Sequence, residues 1–301
     1  MDIGLLTIII FFDGLNYAAV LFLISVGLTF VFGVLRILNV SHGAIYGLGA
    51  YMATWLTILL LNQGLPPYLS YLVLLVGAII IGLITGPSIE RLCLRRIYGS
   101  DIHIQLLLTF SILLIMEDAM KLIWGVDPIF ITEPYALLGQ FSVGTIIYPR
   151  YTLLLIGVSV SFGVFLVWLV RGTHFGNLVV SVIQDREVSV AMGINVGLIN
   201  TAAFTLGALS AAIGGAFIAP TISVAPGFAA EVVVMAFAVI AIGGMGNLEG
   251  AALASLIVGI ARALAIHVFA ELELAVIYMI MVLVLAFRPQ GLFGAVEERR
   301  I

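Results

Sequence analysis

Three stretches of this chain hold polar side chains at spacings able to do chemistry, and each lies in or beside an apolar run. The first is GVLRILNVSHGAIYGLGAYM, from Gly33 to Met52, where Arg36, Asn39, Ser41 and His42 interrupt a hydrophobic span before a glycine-spaced helix restarts. Lipid cannot satisfy the backbone groups freed by such a break. It persists only where neighbouring protein or a water-filled cavity takes them up, which points to a solute path rather than an anchor. The second is VIAIGGMGNLEGAALASLIVG, from Val239 to Gly259, a glycine-rich gap carrying Asn247 and Glu249. Interrupted segments in corresponding halves of a chain are a transporter pattern, with substrate bound beside the breaks. Helix starts near Ser41–Ala44 and Gly246–Gly250 present N–H groups that favour an anion or a carbonyl dipole. Asn39, Ser41, His42, Gly43, Gly246, Asn247 and Glu249 are therefore the candidate substrate-path residues. Plain helix packing explains the small residues as well, namely Gly43, Gly47 and Gly49, and Gly207, Gly214 and Gly215. Both readings stand at this point, and His42 is as suited to packing or hydrogen bonding as to solute contact.

The third stretch is RGTHFGNLVVSVIQDREVSVAMGINVGLIN, from Arg171. It holds an amphipathic piece, Leu178 to Met192, bearing Asp185, Arg186 and Glu187, followed by Gly193 and Asn195. A short helix ended by glycine is a C-capped unit. It is either a lever seated on an ATPase or a solvated connecting helix on the membrane surface.

Other chemistries lack their residues. The one lysine, Lys121, stands in EDAMKLIWG, so no phosphate-cradling GxxxxGK[ST] loop is present and the chain is no P-loop ATPase by itself. There is no HExxH and no GxSxG, and one cysteine, Cys93, permits neither CxxC nor an internal disulfide. His103, His174 and His267 make no metal pair at helical spacing. No enzyme activity, metal site or cofactor is expected in this chain. Ionisable residues inside spans are functional candidates by their cost. Glu117 and Asp118 are adjacent, with Lys121 placed for an ion pair with Glu117 at i,i+4. Arg262 and Glu231 either line a path or snorkel to an interface.

The elements that must position these residues are membrane helices. Hydrophobic residues make up 63% of the chain and charged residues 9%, with a mean hydropathy of +1.26. Soluble domains carry about 25% charged residues, so a soluble protein is excluded. A net charge of −4, scattered along the chain, implies no nucleic-acid partner. The expected fold is all-α, a polytopic membrane helix bundle of about 8–10 segments with interrupted helices, each needing about 20 residues. It is expected to form a single transmembrane domain over 1–301. The segments fall near 14–34, 43–62, 68–88, 103–124, 147–170, 198–220, 230–244, 250–267 and 272–287. With the N-terminus outside, nine spans put Arg36, Arg91, Arg95, Arg96, Arg171, Arg186, Arg288, Arg299 and Arg300 in the cytoplasm, and only Lys121 and Arg150 near the outer side. The N-terminal apolar stretch has Asp2 where a signal peptide is basic, so it is expected to be retained. The external loop Gly125 to Arg150 is either a plain connection or a docking surface, and FSVGTIIY alternates as a short β-ribbon around Gly144.

Four motifs taken together resemble the permease subunits of branched-chain amino acid ABC importers, most closely the first of the two membrane subunits; urea and short-amide permeases are relatives. They are GLNYAAVLFLISVGLTFVFGVLRILNVSHGAIYGLGAYMA from Gly14, QDREVSVAMGINV from Gln184, IGGMGNLEGAALAS from Ile242 and FRPQGLFG from Phe287. The resemblance spans nearly the full length. It implies a multi-pass protein of the bacterial or archaeal plasma (inner) membrane, with a cytoplasmic C-terminus. The implied partners are two ATP-binding cassette subunits that bind ATP and Mg, a second related permease chain, an extracytoplasmic solute-binding protein and membrane lipid. By the same resemblance, 172–197 holds the coupling loop, with Asp185, Arg186, Glu187, Ala191 and Gly193 as ATPase contacts. Arg288, Pro289, Gln290, Gly291 and Leu292 close the last span. The implied activity is inward alternating access for a small polar or amphipathic solute, branched-chain or other hydrophobic amino acids first.

The chain departs from many relatives at Ala44, where they carry an acidic residue after the His-Gly pair. It also departs at Asn247, where they read serine, and at Glu249. Urea, short amides and aromatic carboxylates therefore stay open as solutes. An ATP-independent secondary transporter or channel is the rival from another class. Its mark is a mid-span carboxylate or histidine relay, for which Glu117 with Asp118 is the candidate.

Overall fold

The computed structural model describes residues 3–143 and 146–294; Asp2, Gly144, Arg299 and Arg300 lie outside them. Long helices form at every expected segment: α1 (Ile3–Leu35), α2 (His42–Asn62), α3 (Ser70–Leu92), α4 (Ile102–Trp124), α6 (Tyr151–Gly172), α9 (Val196–Ile218), α10 (Phe228–Gly243), α11 (Leu248–Val268) and α12 (Glu273–Phe287). Short helices α5 (Glu133–Leu137), α7 (His174–Gln184) and α8 (Arg186–Ala191) lie on the connections. Seven of the described helices are long and apolar enough to cross a membrane, α12 together with the 3-10 turn Ala270–Leu272 that leads into it. The other two are α10, at 16 residues, and α4, whose last turns carry Glu117, Asp118 and Lys121.

Small residues set how closely the bundle packs. A Cβ added at Gly215 of α9 would sit 1.8 Å from the Tyr46 carbonyl oxygen of α2. One at Gly49 of α2 would sit 2.3 Å from the Ala212 oxygen of α9. The two helices therefore touch backbone to backbone, the small-residue packing that replaces a hydrophobic driving force in lipid. Gly259 of α11 meets the Gly14 oxygen of α1 in the same way, and Gly207 meets Gly27. For Gly49, Gly207 and Gly215 the packing reading is the one realised. Outward faces of α4, α6 and α12 stay apolar, as at Leu122, Val164 and Val282, suited to lipid or another apolar surface.

The ribbon forms as β1 (Gln140–Val143) antiparallel to β2 (Ile146–Pro149), with Gln140 opposite Pro149. Those pairings take the residues before Tyr151, so the fifth span starts at 151 rather than near 147. Tyr71 Oη donates to the Pro134 carbonyl at 2.7 Å, and Ile129 bridges Val224, tying this loop to α3 and to the connection after α9.

Candidate functional site

The first break is built around α1. His42, the first residue of α2, has Nε2 3.0 Å from the Ile24 carbonyl oxygen. Leu35, the last helical residue of α1, lies about 16 Å further along that helix than Ile24, at 1.5 Å per residue. Residues 36–41 therefore run back beside the end of α1, and α2 begins inside the bundle. Arg36 makes the reversal with φ +57, the one non-glycine residue in the left-handed region among those described. The freed backbone is taken up locally: Thr109 of α4 donates its hydroxyl to the Leu38 carbonyl at 3.2 Å. Ser41 donates to Asn39 Oδ1 at 2.6 Å rather than capping α2.

Asn39, Ser41 and His42 are all fully buried. Because a carbonyl can only accept, Nε2 of His42 carries the proton, and Nδ1 is an acceptor with no partner among the described residues. Asn39 Nδ2 is likewise unpartnered. Gly43 packs on α10, where a Cβ would meet the Ala229 oxygen at 2.7 Å.

The second break is a joint. Gly244 and Gly246 turn the chain with φ +102 and +86, and Asn247 caps α11 by accepting from Gly250 N at 2.8 Å. The FRPQGLFG motif folds back onto this joint. Leu292 N and Phe293 N donate to the Ile242 and Gly243 carbonyls at 2.8 and 3.0 Å, and Asn247 Nδ2 donates to the Phe293 carbonyl at 3.1 Å. The last carbonyls of α10 are thus satisfied by a segment distant in sequence. Glu249 faces Arg171 at 2.5 Å, both exposed. Gly246 lies against Gly33, where an added Cβ would be 3.3 Å from its Cα. Gly33 is about 13 Å beyond Ile24 along α1, so this joint and the start of α2 sit at different depths.

The amphipathic piece of the connecting loop is two helices rather than one. Asp185 takes extended backbone angles (φ −152, ψ 105) and caps α8, its carboxylate accepting from Val188 N at 2.9 Å. An Asp that accepts from the amide three residues on favours a cap over a helix interior, and this breaks the run. Gly193, at φ +82, ends α8 as expected: Gly193 N bonds the Val190 oxygen and Ile194 N the Ser189 oxygen, a Schellman turn. Val179 and Val182 of α7 pack with Phe30, Val34 and Ile199. Asp185, Arg186, Glu187, Ala191 and Gly193 are all exposed, with Val188 and Met192 beside them at 56% and 77%. Between this unit and the end of α1 lies a cavity of about 420 Å³ lined by Arg36, Tyr98, Gln105, Arg186 and Asn200.

Of the remaining charges, Lys121 and Arg262 are in ion pairs, whereas Glu117 Oε1 is buried with no hydrogen-bond partner among the described residues. Lys121 bonds Asp118 at 2.9 Å (i,i+3), not Glu117 as the i,i+4 spacing suggested; both separations share a helix face. Arg262 pairs with Glu273 and lies 3.7 Å from the Tyr17 ring centre, while Glu231 is exposed in the first turn of α10. Glu90, not singled out from sequence, is fully buried in α3 and gathers several donors. Its signal was a lone carboxylate five residues before the Arg95–Arg96 pair.

A family model described as the permease component of the branched-chain amino acid transport system matches residues 10–285. The high-affinity branched-chain amino acid transport system permease protein BraD of Pseudomonas aeruginosa is 28% identical over 299 residues, covering 96% of each chain. LivH of Escherichia coli, a protein of the same description, is 26% identical over 298 residues, again 96% of each. The probable branched-chain amino acid transport permease protein LivH of Methanocaldococcus jannaschii is 25% identical, over 92% of this chain and 90% of its own.

Proposed function

The chain belongs to the branched-chain amino acid transport system permease family, and on that premise we propose that it passes amino acids with apolar side chains inward through the break at Asn39–Gly43. It is a multi-pass membrane permease subunit of an ATP-driven importer. The observation that carries the path is the start of α2 inside the bundle, where His42 Nδ1 and Asn39 Nδ2 are buried without partners. Polar groups that rigid neighbours leave unpaired suit a passing solute's ammonium or carboxylate better than permanent packing. Ala44 is buried with Leu113 and Val233. That apolar wall favours a branched side chain over urea. Gly246, Asn247 and Glu249 then belong to the inner rim, at the level of Gly33.

Partners follow from the missing nucleotide loop and the exposed residues of α8. Two ATP-binding cassette subunits supply ATP and Mg and seat on Asp185, Arg186, Glu187, Ala191 and Gly193. A second permease completes the path, and an extracytoplasmic binding protein delivers solute to the loop around β1 and β2. Arg36, Arg95 and Arg186 gather around one end of the bundle, which supports a cytoplasmic reading of that end and, with it, of the C-terminus. Affinity resides mostly in the binding protein, since a permease holding solute tightly releases it slowly.

The test is reconstitution with the partner subunits and the binding protein, measuring ATP-dependent uptake of labelled leucine against urea and benzoate. Leucine uptake that stops without ATP supports the reading. Preferred uptake of urea or benzoate overturns the solute, and uptake driven by an ion gradient without ATP overturns the mechanism.

A further inference from the structure

We infer that Glu90 is a positioning residue that binds the coupling segment to the membrane helices, an assignment that rests on the reading of α8 as the ATPase contact. A fully buried carboxylate is costly unless several donors meet it. Here they come from separate parts of the chain. Tyr98, in the turn after α3, donates its hydroxyl to Oε1 at 2.7 Å. Thr201, in the first turns of α9, donates to Oε2 at 2.6 Å. Arg95 lies 3.5 Å from Oε1 and also donates to the Gly197 carbonyl at 3.1 Å. Burial and the bond to Glu90 raise the Tyr98 phenol well above its usual range, so it remains a donor.

Both routes out of α8 end on this carboxylate. The Arg186 guanidinium lies 5.6 Å from the Tyr98 ring centre, within cation–π range. At its other end, α8 passes through the Gly193 turn straight to Asn195, which caps α9 by accepting from Leu198 N at 3.0 Å. Two short, hydrogen-bonded joints thus leave little slack between α8 and the start of α9. From there α9 is continuous to Gly215, seated against Tyr46 one turn after His42. Displacement of α8 is passed to α9 and α3 together because Glu90 ties them, and α9 carries it to the break.

The test uses the assembled importer carrying Tyr98→Phe, Glu90→Gln or Thr201→Val. One readout is ATP hydrolysed per leucine taken up. A second needs no solute: the change in thiol labelling of Ser41→Cys, in a Cys93→Ser background, when a non-hydrolysable ATP analogue is added. Loss of one tie is expected to raise the ATP-to-leucine ratio about fivefold or more, the factor set by one hydrogen bond of ordinary strength. The labelling change should shrink in parallel, and by more than any fall in melting temperature or folded fraction explains. Tyr98→Phe removes only a hydroxyl and carries the test if Glu90→Gln does not fold. An unchanged ratio and labelling response, or uptake and hydrolysis falling together with the amount of folded protein, overturns the inference. Failure of the wild-type importer to take up leucine overturns the solute instead, and the labelling response still judges Glu90.

Discussion

His42 Nε2 meets the carbonyl oxygen of Ile24 at 3.0 Å, which seats the start of one helix against the middle of another. That contact makes the broken segment re-entrant in depth rather than a turn at the membrane surface. His42→Ala removes the bond and leaves a void beside α1. The expected loss is about 1–3 kcal/mol, the usual cost of a buried group left unsatisfied. It is read as a lower melting temperature in detergent, with uptake reduced further than the folded fraction alone explains. Unchanged stability and uptake would show that the ring neither supports nor lines the path.

The contact between α2 and α9 leaves no room for a methyl group. Gly215→Ala places a carbon 1.8 Å from the Tyr46 oxygen and should abolish the folded, monodisperse protein on size-exclusion chromatography. Gly157→Ala, where nothing lies within 4 Å, is the matched control and should leave the profile intact. Equal behaviour of the two would mean that α9 is not keyed to α2 in this way.

Asp185 is both a charge and a helix cap, and two substitutions separate the roles. Asp185→Ala loses the bond from Val188 N, worth about 1 kcal/mol to α8, whereas Asp185→Asn keeps a capping oxygen. Asp185→Ala and Arg186→Ala should let ATP hydrolysis run without uptake, and Asp185→Asn should stay coupled. Coupled uptake unaltered in both alanine variants would remove α8 from the transmission route.

At the second break, structure and charge separate in the same manner. Asn247→Ala deletes the cap of α11 and the bond to the Phe293 carbonyl together, an expected cost of about 1–2 kcal/mol. Glu249→Gln breaks only an exposed ion pair with Arg171 and should change stability by about 1 kcal/mol or less. Thermal melts of the two variants rank them, and a larger effect from Glu249→Gln would contradict the joint described for this segment.

The helices and the family were legible in the sequence because both are local. A run of about 20 apolar residues must form a helix in lipid whatever surrounds it, since its backbone has no other partner there. The turn chemistry at Gly193 and the alternation of FSVGTIIY were readable for the same reason. The split at Asp185 was within reach too, because an Asp followed by a free N–H three residues on is a cap signal. It was masked by the amphipathic pattern running through it.

Relations between distant segments were decided only in the folded chain. FRPQGLFG reads as the end of the last span, yet its amides cap α10, because helix-end carbonyls accept from whichever donor packing brings near. Glu90 is marked in the sequence only as a lone carboxylate before an arginine-rich turn; its donors come from that turn and from α9. The breaks at His42 and Gly246 look alike in sequence, as glycine and small polar residues between apolar runs. Packing gave one a place deep in the bundle with unpaired polar atoms and made the other a satisfied joint at the rim, since burial and depth depend on neighbours that spacing along a chain does not specify.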